Sequence, residues 1–311
     1  MNRYMPEGML ISTTKNRDYT SCIEGLEAAY ANGVILEAGV TLCDRNFNLH
    51  VDLGSKIRAI IPREEVQYVK DDEEIKDIAI LTRVGKAVCF KVIGFDKSAG
   101  GGTIILSRRA AQLECMQNYI ATLIPGDIIP TKITHIENFG AFVDIGCGIT
   151  SLLSIDCISV SRIAHPSIRL SVGDMIHTVV KSIDSKGRIY VSERELLGSW
   201  SENAALFNEG QTVKGVIRSV ENYGVFIELR PNLAGLAEYR DDVRPGQTAA
   251  VYIKSIIPEK MKIKLIIIDS HDSEEIPDTL EYFIDTASVT HIDSWQYSPP
   301  NCKKVIESVF V

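Results

Sequence analysis

The chain has 311 residues, 45% of them apolar, and a formal net charge of -8. At about 100–200 residues per domain this length suggests two or three domains, and the apolar fraction excludes a disordered chain. No apolar run reaches about 18 residues and the start MNRYMPEGML lacks the basic and apolar regions of a secretory signal, so a soluble cytoplasmic protein with no membrane partner is expected.

In chain order, residues 1–29 read as an N-terminal extension with a helix starting at Ser21, whose spacing to Glu24 fits a capping box. Residues 30–108 carry DRNFNLHVDLG (44–54) and end in LSRR (106–109). Ser107 can cap a linker helix over 109–121. Residues 122–198 read as five short strands, IIPTKITHI, GAFVDIG, TSLLSI, DMIHTVVKSI and RIYVS, rich in β-branched residues and alternating with period two. Ser192 is a candidate cap for a shorter helix toward WSENAALFNEG, which leads, within 199–268, into a third strand-rich stretch. Residues 269–311 form an acidic but aromatic appendage, expected to make a hairpin followed by a strand or short helix, and to pack on the stretch before it.

The strand-rich stretches are copies of one unit. ENFGAFVDIGCG (137–148) returns as ENYGVFIELRPN (221–232), with Gly126 and Gly210 each 13 positions before the first aromatic. GDMIHTVVKSID (173–184) returns as GQTAAVYIKSII (246–257), and DRNFNLHVDLG is a degenerate first copy that aligns Phe47 with Phe139. Five strands in each copy suit a small antiparallel barrel of the OB type. The predicted fold is therefore mainly β: three tandem five-stranded barrels joined by short helices, plus the appendage.

Strand phase assigns the faces. Ala141, Val143 and Ile145 share one side, as do Val225, Ile227 and Leu229, and Leu49, Val51 and Leu53. Phe142 with Asp144, Phe226 with Glu228, and His50 with Asp52 take the other. The plain reading of Phe142 and Phe226 is core packing or cover by a helix. The alternative is a base-stacking platform, since stacking contributes about 1–3 kcal/mol per base with little sequence preference. Gly140 and Gly224 fit positions needing positive φ or an open backbone. Arg188, Tyr190, Lys262 and Lys264 point outward on the fifth strands, Lys181 and Lys254 recur on the fourth, and Lys132 lies on the first strand of the second copy. The carboxylates at 52, 144 and 228 read as the solvated half of an alternation rather than as a nuclease metal site.

Acidity does not exclude a nucleic-acid partner, because it is localised. Residues 269–311 hold nine acids against Lys303 and Lys304, while residues 210–268 hold nine basic and six acidic side chains. Seven cysteines without a CxxC pair read as reduced thiols, mostly buried. Six scattered histidines give no metal spacing, and no GxxxxGK, HExxH or GxSxG occurs, so no enzyme, metal or cofactor is expected.

The pattern FGAFVDIG followed by GDMIHTVVKSIDSKGRIYVS resembles the S1 RNA-binding domain, an OB-fold module repeated in a small-subunit ribosomal protein and appended to RNA enzymes. The resemblance implies single-stranded RNA (mRNA) as ligand, with the small ribosomal subunit as a partner in translation. It implies RNA lying on two aromatics, a histidine after the third strand, and an aspartate and a basic residue at the last hairpin. By position these are Phe139, Phe142, Asp184 and Arg188 in the second copy, with Ser154 in place of the histidine. In the third they are Tyr223, Phe226 and Lys262, with Glu238 and Pro258 departing from the pattern. The first copy offers Phe47 and His50 beside an acidic run, DDEE (71–74), and is expected to be structural or to dock a protein. The alternative reading of the chain is an interaction scaffold held to the ribosome, or to an RNA-processing enzyme, by the first copy and the tail.

Overall fold

The computed structural model describes residues 4–54, 57–69, 74–96, 102–272 and 281–310. The acidic run at 71–73 lies outside them. Two compact units result, one of residues 1–123 with 144–150, the other of 124–143 with 151–311.

The first unit begins with α1 (Thr14–Thr20) and α2 (Ile23–Ala31). Two helices replace the single one expected from Ser21. Thr13 caps α1, and the Cys22 thiol accepts the Gly25 N–H at the start of α2, leaving Ser21 as the C-cap of α1. The barrel follows: β1 (Leu36–Cys43), β2 (Leu49–Asp52), β3 (Arg58–Ile61), α3 (Asp77–Leu81), β4 (Ala87–Asp96) and β5 (Thr103–Ser107). Leu26 of α2 is fully buried in the same core as Phe90, Ile61 and Leu106. Ser107 caps α4 (Arg108–Asn118) as its position predicts, accepting the Ala110 N–H at 2.8 Å.

The second barrel consists of β6 (Ile128–Glu137), β7 (Gly140–Asp144), β8 (Thr150–Ser154), α5 (Ile155–Ile158), β9 (Met175–Ile183) and β10 (Ile189–Ser192). Ser192 caps no helix; its hydroxyl donates to the Cys157 carbonyl. The following helix, α6 (Trp200–Ala204), is capped by Ser199 in a complete capping box with Glu202. The third barrel is β11 (Thr212–Glu221), β12 (Gly224–Arg230), β13 (Leu233–Ala237), β14 (Thr248–Ile257) and β15 (Lys262–His271). All three sheets close, each through a parallel pairing of third and fifth strands: β3 with β5, β8 with β10, β13 with β15. The three-barrel, mainly β architecture predicted from the sequence is thus observed.

The appendage adds β16 (Ser294–Gln296) and β17 (Glu307–Val309), an antiparallel pair. Trp295 and Tyr297 join the core of the third barrel, and Phe310 packs with Ile128, Val179 and Leu196 of the second. The tail therefore packs on two barrels rather than on the third alone. Tyr297 donates from its hydroxyl to the Asn232 carbonyl at 2.6 Å, and His291 meets Asp127 at 2.8 Å.

Candidate nucleic-acid interface

β6 and β7 of the second barrel meet in a tight turn at Asn138 and Phe139, and the turn lifts Phe139 into solvent at 54% exposure. Phe142, two residues into β7, is half-buried on the outer face, while Ala141 and Val143 are buried. The two rings stand edge to face, 6.1 Å apart at 89°. The third barrel repeats this arrangement with Tyr223, 70% exposed, and Phe226: 6.0 Å and 87°. Two copies that differ at most surrounding positions thus hold one ring geometry, and an edge-to-face pair is a favourable arrangement that leaves ring faces open.

Close approach explains the glycines. A Cβ on Gly140 would stand 2.3 Å from the Leu153 carbonyl oxygen, and one on Gly224 would stand 2.5 Å from that of Ala237. Both take positive φ, as expected, and the third strand runs so near at both positions that only glycine fits.

Around the aromatics the outer face runs in register across the sheet. In the third barrel Phe226 pairs with Leu236, Leu236 with Lys264, and Lys264 with Ser255. In the second, Leu152 pairs with Tyr190, and Tyr190 with Ser182. Lys254, Lys262 and Lys264 are exposed; Tyr190 and Lys132 are half-buried. Asp184 accepts the Lys186 and Arg188 N–H groups and the Arg188 Nε at 2.7 Å, so it builds the last hairpin and aims a guanidinium that is 66% exposed. Hydrogen bonds to Arg188 hold its carboxyl below the usual range. Lys181 is turned to other work, its Nζ lying 2.9 Å from the Cys157 thiol.

His135 was missed from the sequence. It lies on β6, exposed, with its ring stacked beside Phe142 at 6.3 Å and 21° and its Nε2 2.7 Å from Glu137. The equivalent residue of the third copy is Ser219, which pairs with Phe226. A search by recurrence passes over a position filled differently in each copy; the outward phase of β6 was the available signal.

Two expectations are overturned. Asp144 and Glu228 are not solvated: they are 2% and 6% exposed. Asp144 accepts N–H groups from Glu7, Gly146 and Gly148, and burial pushes its carboxyl up, with the Glu7 charge adding to the shift. Glu228 receives Arg218 and Arg169. Strand phase identifies the outer face but not whether chain covers it. The first copy also departs from the alignment. Phe47 is the left-handed residue (φ 62°) of a turn built like that of DSKGR (184–188): Asp44 accepts the Asn46 and Asn48 N–H groups as Asp184 accepts those of Lys186 and Arg188, and Phe47 takes the place of Gly187. Its ring packs on the barrel core under Arg63, 4.8 Å from the centroid, and His50 leans on Asp44. Neither forms an aromatic pair like those of the other barrels.

All seven cysteines are free thiols, with Cys89, Cys115, Cys147 and Cys157 buried, and among the described residues no His/Cys/Asp/Glu group has a metal-binding arrangement. No described helix is long and apolar enough to cross a membrane.

The model of the S1 RNA binding domain matches residues 30–109 and 122–194. Those two stretches carry the S1 RNA-binding domain. The chain is 26% identical over 304 residues to small ribosomal subunit protein bS1 of Staphylococcus saprophyticus, covering 90% of this chain and 74% of that one. It is 28% identical to the bS1 homolog of Bacillus cereus, covering 88% and 69%. Among solved structures, a multidomain protein with nucleic acid binding domains from Streptococcus pneumoniae aligns over 79% of this chain and 76% of that chain, at 14% identity and a TM-score of 0.24. The matched S1 domains are the first two barrels. Motif resemblance ranked the third copy above the first, yet 210–268 lies outside the match; Glu238 and Pro258 stand there where the S1 pattern has histidine and aspartate.

Proposed function

We propose that the chain binds single-stranded RNA on the outer faces of its second and third barrels, as a non-enzymatic protein of translation associated with the small ribosomal subunit in the cytoplasm. The observation that carries the site is the repeated edge-to-face pair, Phe139 with Phe142 and Tyr223 with Phe226, the first of them in a barrel that matches the S1 domain. Bases stack on these rings. Arg188, Tyr190 and Lys132 serve the second barrel; Lys254, Lys262 and Lys264 serve the third with phosphate contacts. Asp184 positions Arg188, and His135 extends the stacking surface. Lys181, occupied by Cys157, has a lesser part, and Phe47 and His50 have none. The ribosomal setting rests on the relatives, which are named as small ribosomal subunit proteins.

Fluorescence titration with a labelled single-stranded RNA tests the site. Phe142→Ala should weaken binding by about 1–3 kcal/mol, the contribution of one stacked base, without changing the melting temperature. Unchanged affinity in Phe142→Ala and Phe226→Ala alike would remove the stacking proposal. A scaffold role would have to use other residues of the tail than Trp295, Tyr297 and Phe310, which pack within the chain.

A further inference from the structure

A cavity of about 520 Å³ opens in the second unit where the turn at 166–169 meets the first two strands of the third barrel. Its size lies within the roughly 300–1,000 Å³ usual for small-ligand sites. The charged groups lining it are Arg169, Lys214, Arg218, Arg230, Glu228 and Glu281. Four cations thus face two carboxylates, and the carboxylates are unequal. Glu228 is buried and shared, taking Arg169 Nη2 at 2.5 Å and Arg218 Nη2 at 2.8 Å. Glu281 reaches Arg230 at 3.1 Å from a side chain 75% exposed, where solvent screens the pair. Among the described residues, three guanidiniums there share two carboxylates.

Donors there also lack acceptors. The Arg169 side chain is 4% exposed, and its Nε has no hydrogen-bond partner among the described residues; the buried Nε of Arg230 has none either. Leaving such a donor unpaired costs about 1–3 kcal/mol, more for a charged group. Burial lowers the Arg169 pKa despite Glu228, and the nearby Arg218 adds to that. A water could accept one N–H, but it would leave Arg169 and Arg218 sharing the single charge of Glu228. A multiply charged oxyanion accepts the N–H and adds to that charge, and guanidinium forks match the geometry of phosphate oxygens. Phe207 and Leu197 supply an apolar wall on which a sugar or base can rest.

We propose that this cavity binds a phosphate group carried by a nucleotide, at a site separate from the aromatic faces. RNA is one source of that phosphate. Glu228 lies two residues from Phe226 on the same face of β12, about 7 Å along the strand, so an RNA crossing Phe226 passes the cavity mouth. A free nucleotide is the other source.

Calorimetric titration of the full chain with inorganic pyrophosphate and with ATP tests the site. Saturable binding is expected, weakened about tenfold in Arg230→Gln and in Lys214→Ala by loss of one charged contact. Phe142→Ala should leave it unchanged, which separates this site from the stacking surface. Absence of saturable binding, or binding untouched by Lys214→Ala and by a folded Arg230→Gln, overturns the proposal. A short oligoadenylate then assigns the source. Displacement of pyrophosphate identifies the RNA backbone as the occupant; simultaneous binding identifies a free nucleotide.

Discussion

Arg108 is 1% exposed and holds Glu7 with both arms of its guanidinium, Nε at 2.6 Å and Nη2 at 3.0 Å. Glu7 in turn accepts the Cys89 N–H, and its own N–H donates to Asp144. Burial opposes ionisation of Glu7, but the charge and hydrogen bonds of Arg108, with the Arg83 charge and the Cys89 N–H, together outweigh it and hold the carboxyl below its usual range. Such pairs add little over an apolar equivalent yet are costly to break from one side. Arg108→Ala should therefore lower the stability of the first unit by about 3–5 kcal/mol in urea unfolding, and Glu7→Gln with Arg108→Met should recover part of it. A single variant of wild-type stability would refute this. Gly148 belongs to the same lock: a Cβ there would stand 1.9 Å from Arg108 Nη2. In the sequence these residues were only the end of LSRR, a glutamate near the N-terminus and the close of DIGCG. Pairing across more than a hundred positions leaves no periodicity to detect.

Glu193 is the other buried carboxyl with consequences. Burial pushes it up to about 8, against the Tyr282 hydroxyl and Arg169, which favour the charged form. The folded chain thus holds this proton more tightly than the unfolded chain, and its contribution to stability falls as pH rises from the ordinary carboxylate range to about 8. Within that window the slope from this one group is about 1.4 kcal/mol per pH unit. Glu193→Gln should remove it, so melting temperatures of variant and wild type should diverge between pH 6 and about 8, with the variant higher. Parallel curves would show that Glu193 ionises freely.

Among elements, hairpins and tail mark the reach of sequence patterns. Alternation placed the core correctly: Ala141, Val143, Val225, Ile227, Leu49 and Val51 are all buried. The turn at 44–48 was misread because Asn-Phe occurs in two kinds of hairpin, and the Asp44 hydrogen bonds, not the aromatic, decide which forms. The tail carries no repeat and no alternation, so only its aromatic content hinted at packing. One of its contacts is sensitive to protonation: Asp127, hydrogen-bonded to His291, raises the histidine's pKa, with Asp293 adding to the effect. That support is present while His291 is charged and is lost as pH rises through the raised pKa. Amide exchange at Ile128 and Ile292, whose N–H groups bond across this junction, should therefore quicken on the alkaline side more in wild type than in His291→Asn. Equal pH dependence in both would refute the role.

At the scale of the whole chain, net charge misleads and its distribution informs. The acidic tail packs within the second unit, where Glu281 pairs with Arg230, while Lys254, Lys262 and Lys264 stay exposed on the third barrel. RNA affinity should fall with salt along a logarithmic slope of about -0.7 per phosphate neutralised, and Lys262→Ala with Lys264→Ala should flatten it by up to about 1.4. A salt slope unaffected by the double variant would place the phosphate contacts elsewhere. The number of barrels and their strands were legible because the repeats share period and phase. The cavity beside Glu228 was not, since it is assembled from residues of different copies.

Closure of each sheet by its parallel third and fifth strands bears on biosynthesis. Similar strands strung on one chain invite exchange between neighbours while they fold, and an open sheet keeps an edge available for such pairing. In a closed five-stranded ring every strand has two partners within its own copy, so a copy completed first offers its successor no edge to add to. The array can be extended by duplication without each added copy becoming a template for misassembly of the next.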